Sequence, residues 1–192
     1  MQPAVPLPAT ATDPVAPTLL EVRGLSRSFH GLRALDGYTL DLAPLRIHGV
    51  IGPNGAGKTT LFHVLSGFLQ PSSGSIRFGG RDITGLPAYR IARLGIARTF
   101  QNIRLFGELT AIENVMVALE RDGRPSVVAT LFSTSSFRRR ERELAAAAME
   151  LLELVGLAAR RNHLAKSLPY GDQRRLEIAR AVGLRPKVLL LD

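Results

Sequence analysis

Apolar positions recur along the chain with two different periods, and the change of period organises it. Before residue 52 they fall in short segments of strand character, Leu19 to Arg23, Arg27 to His30, Tyr38 to Leu42 and Ile47 to Ile51, broken by Gly24, Gly31 and Pro44. The last of these predicts a buried strand, in which His48 is expected as a satisfied core or strand-end histidine. Lys58 to Ser66 carries Leu61, Phe62 and Leu65 at helical spacing, and Gly67 is placed to stop that helix. Pro71-Ser72-Ser73-Gly74 predicts a turn, Ser75 to Phe78 a strand, and Gly79-Gly80 a second turn. From Ala111 the period becomes helical, first to about Leu119 and again from Arg138 to Val155, where Leu144, Ala148, Leu151, Leu152 and Val155 share one side. Val188 to Leu191 is an unbroken apolar run closed by Asp192, the pattern of a parallel strand buried on both faces.

Composition narrows the picture modestly. With 45% hydrophobic and 21% charged residues, the 192-residue chain is that of a folded protein of about one domain. It has no cysteine, which excludes disulfides and thiolate metal sites, and no apolar run near the roughly 18 residues of a membrane helix. A Pro-rich start through residue 17 lacks the pattern of a signal peptide and predicts a disordered tail. The formal charge of +9 suits nucleic acid, anionic lipid or a polyphosphate, and equally a solvated arginine-rich face, so it selects none of them. Arg138-Arg139-Arg140, cations that oppose the dipole at the start of a helix, reads first as a solvated face, with contact to lipid headgroups or another subunit as the other reading.

The chemistry is concentrated in Gly52-Pro53-Asn54-Gly55-Ala56-Gly57-Lys58-Thr59, which meets the phosphate-loop pattern at every fixed position. Glycines allow successive backbone N–H groups to turn inward as an anion nest, and the helix that follows adds its N-terminal partial charge. Lys58 is then placed to reach the β- and γ-phosphates of a nucleotide, the Thr59 hydroxyl to ligate Mg²⁺, and Thr60 to add a phosphate contact. The motif defines a nucleotide-binding fold and leaves the reaction open.

Three further segments, in the same order, resemble the ATP-binding cassette family. Arg98-Thr99-Phe100-Gln101 resembles its Q-loop, whose glutamine reaches Mg²⁺ and the attacking water. Leu168-Pro169-Tyr170-Gly171-Asp172-Gln173, with the helix continuing to Ala181, resembles the signature that caps ATP bound to the opposite subunit through a glycine N–H. Val188 to Asp192 resembles the Walker B strand, with Asp192 holding Mg²⁺. Phe29 stands 29 residues before Lys58, where the family places an aromatic that stacks on adenine; a core phenylalanine is the other reading. The fuller pattern Gly95 to Phe106 followed by Glu113-Asn114-Val115, the signature tyrosine and the insert Leu131 to Arg140 are similar to the ATPase subunit of branched-chain amino acid importers.

The resemblance implies an α/β fold, a P-loop NTPase domain of the ABC type with a mixed β core plus a helical subdomain. Its expected divisions are a core over 18–104, a helical subdomain over 105–165, and the signature helix and Walker B strand over 166–192. It implies MgATP as ligand, Lys58 and Gln101 as catalytic residues, and a peripheral position on the cytoplasmic face of the membrane. The implied partners are a second ATPase subunit, transmembrane permease subunits and, indirectly, a periplasmic or lipid-anchored solute-binding protein, with no nucleic acid. Pro169 replaces the usual signature serine, and Asp172 replaces the usual glutamine, where an acid beside phosphate would repel it. The glutamate expected after Asp192 and the histidine switch do not appear, so the fold is expected to be incomplete at its C-terminus, binding ATP without efficient hydrolysis. Two other readings stay open: a noncatalytic nucleotide-binding regulatory module, and a DNA-repair ATPase of the same superfamily. The interval from Gln101 to Leu168 is short for the long coiled coil of the latter.

Overall fold

Leu20–Phe29 (β1) and Leu32–Leu42 (β2) pair antiparallel across a two-residue turn, His30-Gly31, in which both residues have positive φ (47° and 89°). This is the turn geometry that matches strand twist. The computed structural model describes residues 18–120 and 135–192. The proline-rich start and residues 131–134 of the expected insert lie outside the described residues. The chain divides into two units, one comprising Gln70–Gly85 with the residues up to Thr60, the other Leu61–Leu69 with Leu86–Asp192.

In the first unit, Ser73–Phe78 (β3) joins the other edge of β1 and Arg81–Asp82 (β4) pairs with β3, giving an antiparallel sheet in the order β2-β1-β3-β4. Gly24 does not break β1 as expected. It lies in an irregularity where the register with β2 shifts between Val22 and Leu25. A spacing of three would turn Leu25 to the face opposite Val22, and the added residue restores it, so Leu20, Val22 and Leu25 are all buried. The turn expected through Gly74 is shorter than predicted, since Ser73 already pairs with Ser26. Gly74 sits so close to β1 that a Cβ there would lie 2.5 Å from the Gly24 carbonyl oxygen.

The predicted strand Ile47–Ile51 is not formed. Residues 46–53 have no ladder partner among the described residues, Ile47 and Ile51 are almost wholly exposed, and His48 is exposed rather than a core histidine. An apolar run supplies a preference for burial, but a strand exists only where a neighbour accepts its hydrogen bonds in register.

Lys58–Leu65 (α1) forms where predicted and ends before Gly67, with Leu61, Val64 and Leu65 buried. In the second unit, Ala88–Leu94 (α2) leads into Ile96–Arg98 (β5), neither of which the periodicity indicated. β5 pairs parallel with Val188–Leu190 (β6), in register from Ile96↔Val188 to Arg98↔Leu190, so the apolar terminal run is the parallel strand expected of it.

The helices are Ala111–Leu119 (α3), Ser135–Leu154 (α4) and Tyr170–Gly183 (α5). Their core gathers Ala111, Val115, Ala148, Leu152, Leu157, Ala165, Leu168, Leu176 and Ala179, flanked by partly buried Leu151 and Val155. The stripe predicted on α4 is therefore the packed one. Arg138, Arg139 and Arg140 are exposed, with Arg139 only loosely paired to Glu143 at 3.8 Å. No described helix is long and apolar enough to cross a membrane.

Candidate functional site: a phosphate loop and an arginine-held Q-loop

The phosphate loop belongs to the first unit up to Thr60. Gly55 (φ 85°) and Gly57 (φ 82°) turn the backbone through left-handed conformations, and a Cβ on Gly57 would lie 2.1 Å from the Ala34 carbonyl oxygen. Glycine is required there twice over, by φ and by space. The helix then begins at Lys58, as the motif demands, although the preceding strand is missing. The Lys58 ammonium donates to the carbonyls of Gly52 (2.7 Å) and Pro53 (2.8 Å), so the cation lies across its own loop. Neutral carbonyls are weak partners for an ammonium, and anionic phosphate oxygens are stronger ones. Pro53, Asn54, Gly55 and Ala56 are exposed, and Gly52, Thr59 and Thr60 are half-buried.

Phe29 stands at the end of β1, half-buried rather than in the core, with the Arg27 guanidinium 4.7 Å from its ring centroid. That places it outside the apolar interior to which a core phenylalanine would belong.

The second unit holds the other motif residues. Asp192 follows β6, and its Oδ2 meets Arg98 Nη2 at 2.5 Å, with both side chains less than a tenth exposed. Arg98 also lies near Ser66 Oγ (3.3 Å) and the rings of Phe62 and Phe100. The Asp192 N–H donates to the Thr99 hydroxyl at 3.2 Å. A carboxylate expected to bind a metal is thus engaged by an arginine, a pairing of residues 94 positions apart in the chain.

Gln101 is exposed on an irregular segment that side chains of α5 hold in place. Glu177 Oε1 accepts from the Phe100 N–H (3.1 Å), Arg174 donates to the Phe100 and Gln101 carbonyls, and Arg180 donates to the Arg104 carbonyl. Glu177 is only 5% exposed, and its Oε2 pairs with Arg174 at 3.0 Å. Burial pushes the Arg180 guanidinium below its ordinary pKa, against the opposing pull of Glu177.

The signature residues occupy the entry to α5. Gly171 is exposed in the first turn, Tyr170 is exposed, and Leu168 is buried. Gln173 Nε2 donates to the Leu168 carbonyl at 2.9 Å, fixing the approach to the helix. Asp172 differs from its expected role. It is 5% exposed and bound by Arg160 at 2.6 Å and by Arg175, so its charge is compensated inside its own unit instead of facing a phosphate. Arg98, Arg160, Arg174, Glu177 and Arg180 went unremarked in the sequence as site residues. The only local signal was the spacing of three between Arg174, Glu177 and Arg180, which puts them on one helix face.

The family model described as ABC transporter matches residues 35–192. Over 174 residues, 91% of this chain and 68% of the relative, the sequence is 51% identical to a high-affinity branched-chain amino acid transport ATP-binding protein, BraF, of Pseudomonas aeruginosa. It is 47% identical, with the same coverage, to the LivG protein of Escherichia coli, which carries the same description. A crystal structure of a nucleotide-free ATP-binding cassette from an ABC transporter superposes with a TM-score of 0.74 at 31% identity, covering 91% of this chain and 68% of that one. With a family model that matches residues 35–192 and a relative 51% identical over 91% of this chain, the chain belongs to the ABC transporter ATP-binding family.

Proposed function

We propose that the chain is the ATP-binding subunit of an importer of branched-chain amino acids, coupling MgATP binding and hydrolysis in the assembled transporter to uptake. The observation that carries this reading is the phosphate loop itself, with left-handed Gly55 and Gly57 and with Lys58 lying across it at the start of α1. On ATP binding Lys58 exchanges two carbonyls for phosphate oxygens, while loop N–H groups and the helix terminus receive the remaining charge. Phe29 offers a ring face for adenine, and Gly171 a backbone N–H for the nucleotide of a second ATPase subunit. The substrate assignment rests on the similarity to BraF and LivG; the amino acid itself is recognised by permease and solute-binding partners.

Thr59 hydroxyl, Gln101 amide oxygen and Asp192 carboxylate are hard oxygen donors of the kind Mg²⁺ takes, so the chemistry of each donor fits the ion. Held by these residues, the ion would supply positive charge against that of the nucleotide phosphates. Arg98, paired with Asp192, orients that carboxylate. The working position is the cytoplasmic face of the membrane, against permease subunits.

Lys58→Ala is expected to abolish nucleotide binding or turnover. Calorimetric titration with MgATP checks the first and transport by the full-length assembly the second. Undiminished ATP-driven transport by that variant would sink the proposal.

A further inference from the structure

The segment from Phe100 to Arg104 has no regular secondary structure, so its backbone groups have no ladder or helical partners. Four of them, the N–H and carbonyl of Phe100 and the carbonyls of Gln101 and Arg104, are satisfied by side chains of a single helix. Those side chains, Arg174, Glu177 and Arg180, follow one another at intervals of three along α5. Their burial is costly: Glu177 is a nearly inaccessible carboxylate, and Arg180 Nε is buried without a hydrogen-bond partner among the described residues. Apolar side chains would pack α5 at less cost, so the polar face is explained by what it fixes in space. Rings complete the clamp. Phe100 is flanked by the guanidinium of Arg104 at 4.5 Å and meets the edge of Phe68 at 5.3 Å, and Arg180 lies 4.7 Å from the Phe106 ring.

We propose that Arg174, Glu177 and Arg180 are positioning residues that fasten the backbone of 100–104 to α5, and so set where the Gln101 side chain begins. The same helix starts with Gly171, so the glutamine and the signature glycine are referred to one rigid element. That consequence rests on the function proposed above; the clamp itself does not.

The test is residue-resolved amide exchange on the whole chain, together with steady-state kinetics of the full-length subunit in its transporter. Loss of a hydrogen bond to a charged acceptor in Glu177→Ala should speed exchange of the Phe100 amide about ten-fold or more, while Val115 and Leu152 keep their rates. Glu177→Gln, which retains an acceptor oxygen, should recover most of the protection. In the transporter, Glu177→Ala should lower kcat about ten-fold with the KM for ATP unchanged, because the phosphate loop is untouched. Should Glu177→Ala fail to fold, Arg174→Gln, at a partly exposed site, carries the same expectation for kcat and loosens the 100–104 backbone. Unchanged exchange at Phe100, exchange that rises equally at Val115 and Leu152, or unaltered kcat would each overturn the proposal. If wild type neither binds nor turns over ATP, the functional reading fails, and the exchange result still decides the clamp.

Discussion

Asp172 shows how a residue changes meaning once its neighbours are known. In sequence it is an acid where an uncharged partner to phosphate was expected, and in the structure it joins Arg160 to Arg175 inside the helical unit. Its arginines are about half exposed, which lets water compensate them if the carboxylate is lost. Asp172→Ala is accordingly expected to lower stability by about 1–3 kcal/mol, less than for a fully buried pair, in a urea melt. Gly57 is the opposite case, legible from the motif and only made stricter by the structure. Gly57→Ala introduces a Cβ 2.1 Å from a carbonyl oxygen at a φ of 82°. We expect it to weaken MgATP binding by roughly 2 kcal/mol or more, measured by calorimetry, through distortion of the loop.

At the scale of elements, local signals were reliable where the determinants are themselves local. Helix α3 spans the predicted residues because Thr110 and Glu113 close a capping box at its start, the Glu113 carboxylate accepting from the Thr110 N–H (2.8 Å) and hydroxyl (2.7 Å). Thr110→Ala should cost about 1 kcal/mol of stability. The Thr110 side-chain and backbone hydrogen bonds hold the Glu113 carboxyl below its ordinary pKa. A depressed carboxylate stabilises above its unfolded value, and that contribution is lost as pH falls through the folded value. The difference between wild type and Thr110→Ala, followed by thermal melts, should therefore be full at neutral pH and shrink below about pH 4.3. Strands were less legible for the same reason. β1 runs through Gly24 because a bulge, fixed by pairing, keeps its apolar face inward, and Ile47–Ile51 forms no strand because no neighbour among the described residues pairs with it.

At the scale of the molecule, each unit has its own organisation, an antiparallel sheet in the first and a helical cluster with a parallel pair in the second. The cluster includes fully buried Leu152, together with Ala111 and Val115 of α3 and Leu176 and Ala179 of α5. Leu152→Ala should cost about 2–5 kcal/mol in denaturant unfolding followed by far-ultraviolet circular dichroism, since it removes a fully buried side chain and leaves a cavity. The sequence by itself determined the nucleotide-binding motif, helices α1, α3 and α4 and the apolar terminal strand, because contiguous residues at fixed spacing carry loop chemistry and amphipathic period. Only tertiary structure decided that Asp192 meets Arg98, that Asp172 faces inward and that α5 holds the segment bearing Gln101. The contacts of Asp192 with Arg98 and of α5 with residues 100–104 join positions 73 to 94 apart, and their strength comes from burial and geometry that no local spacing encodes.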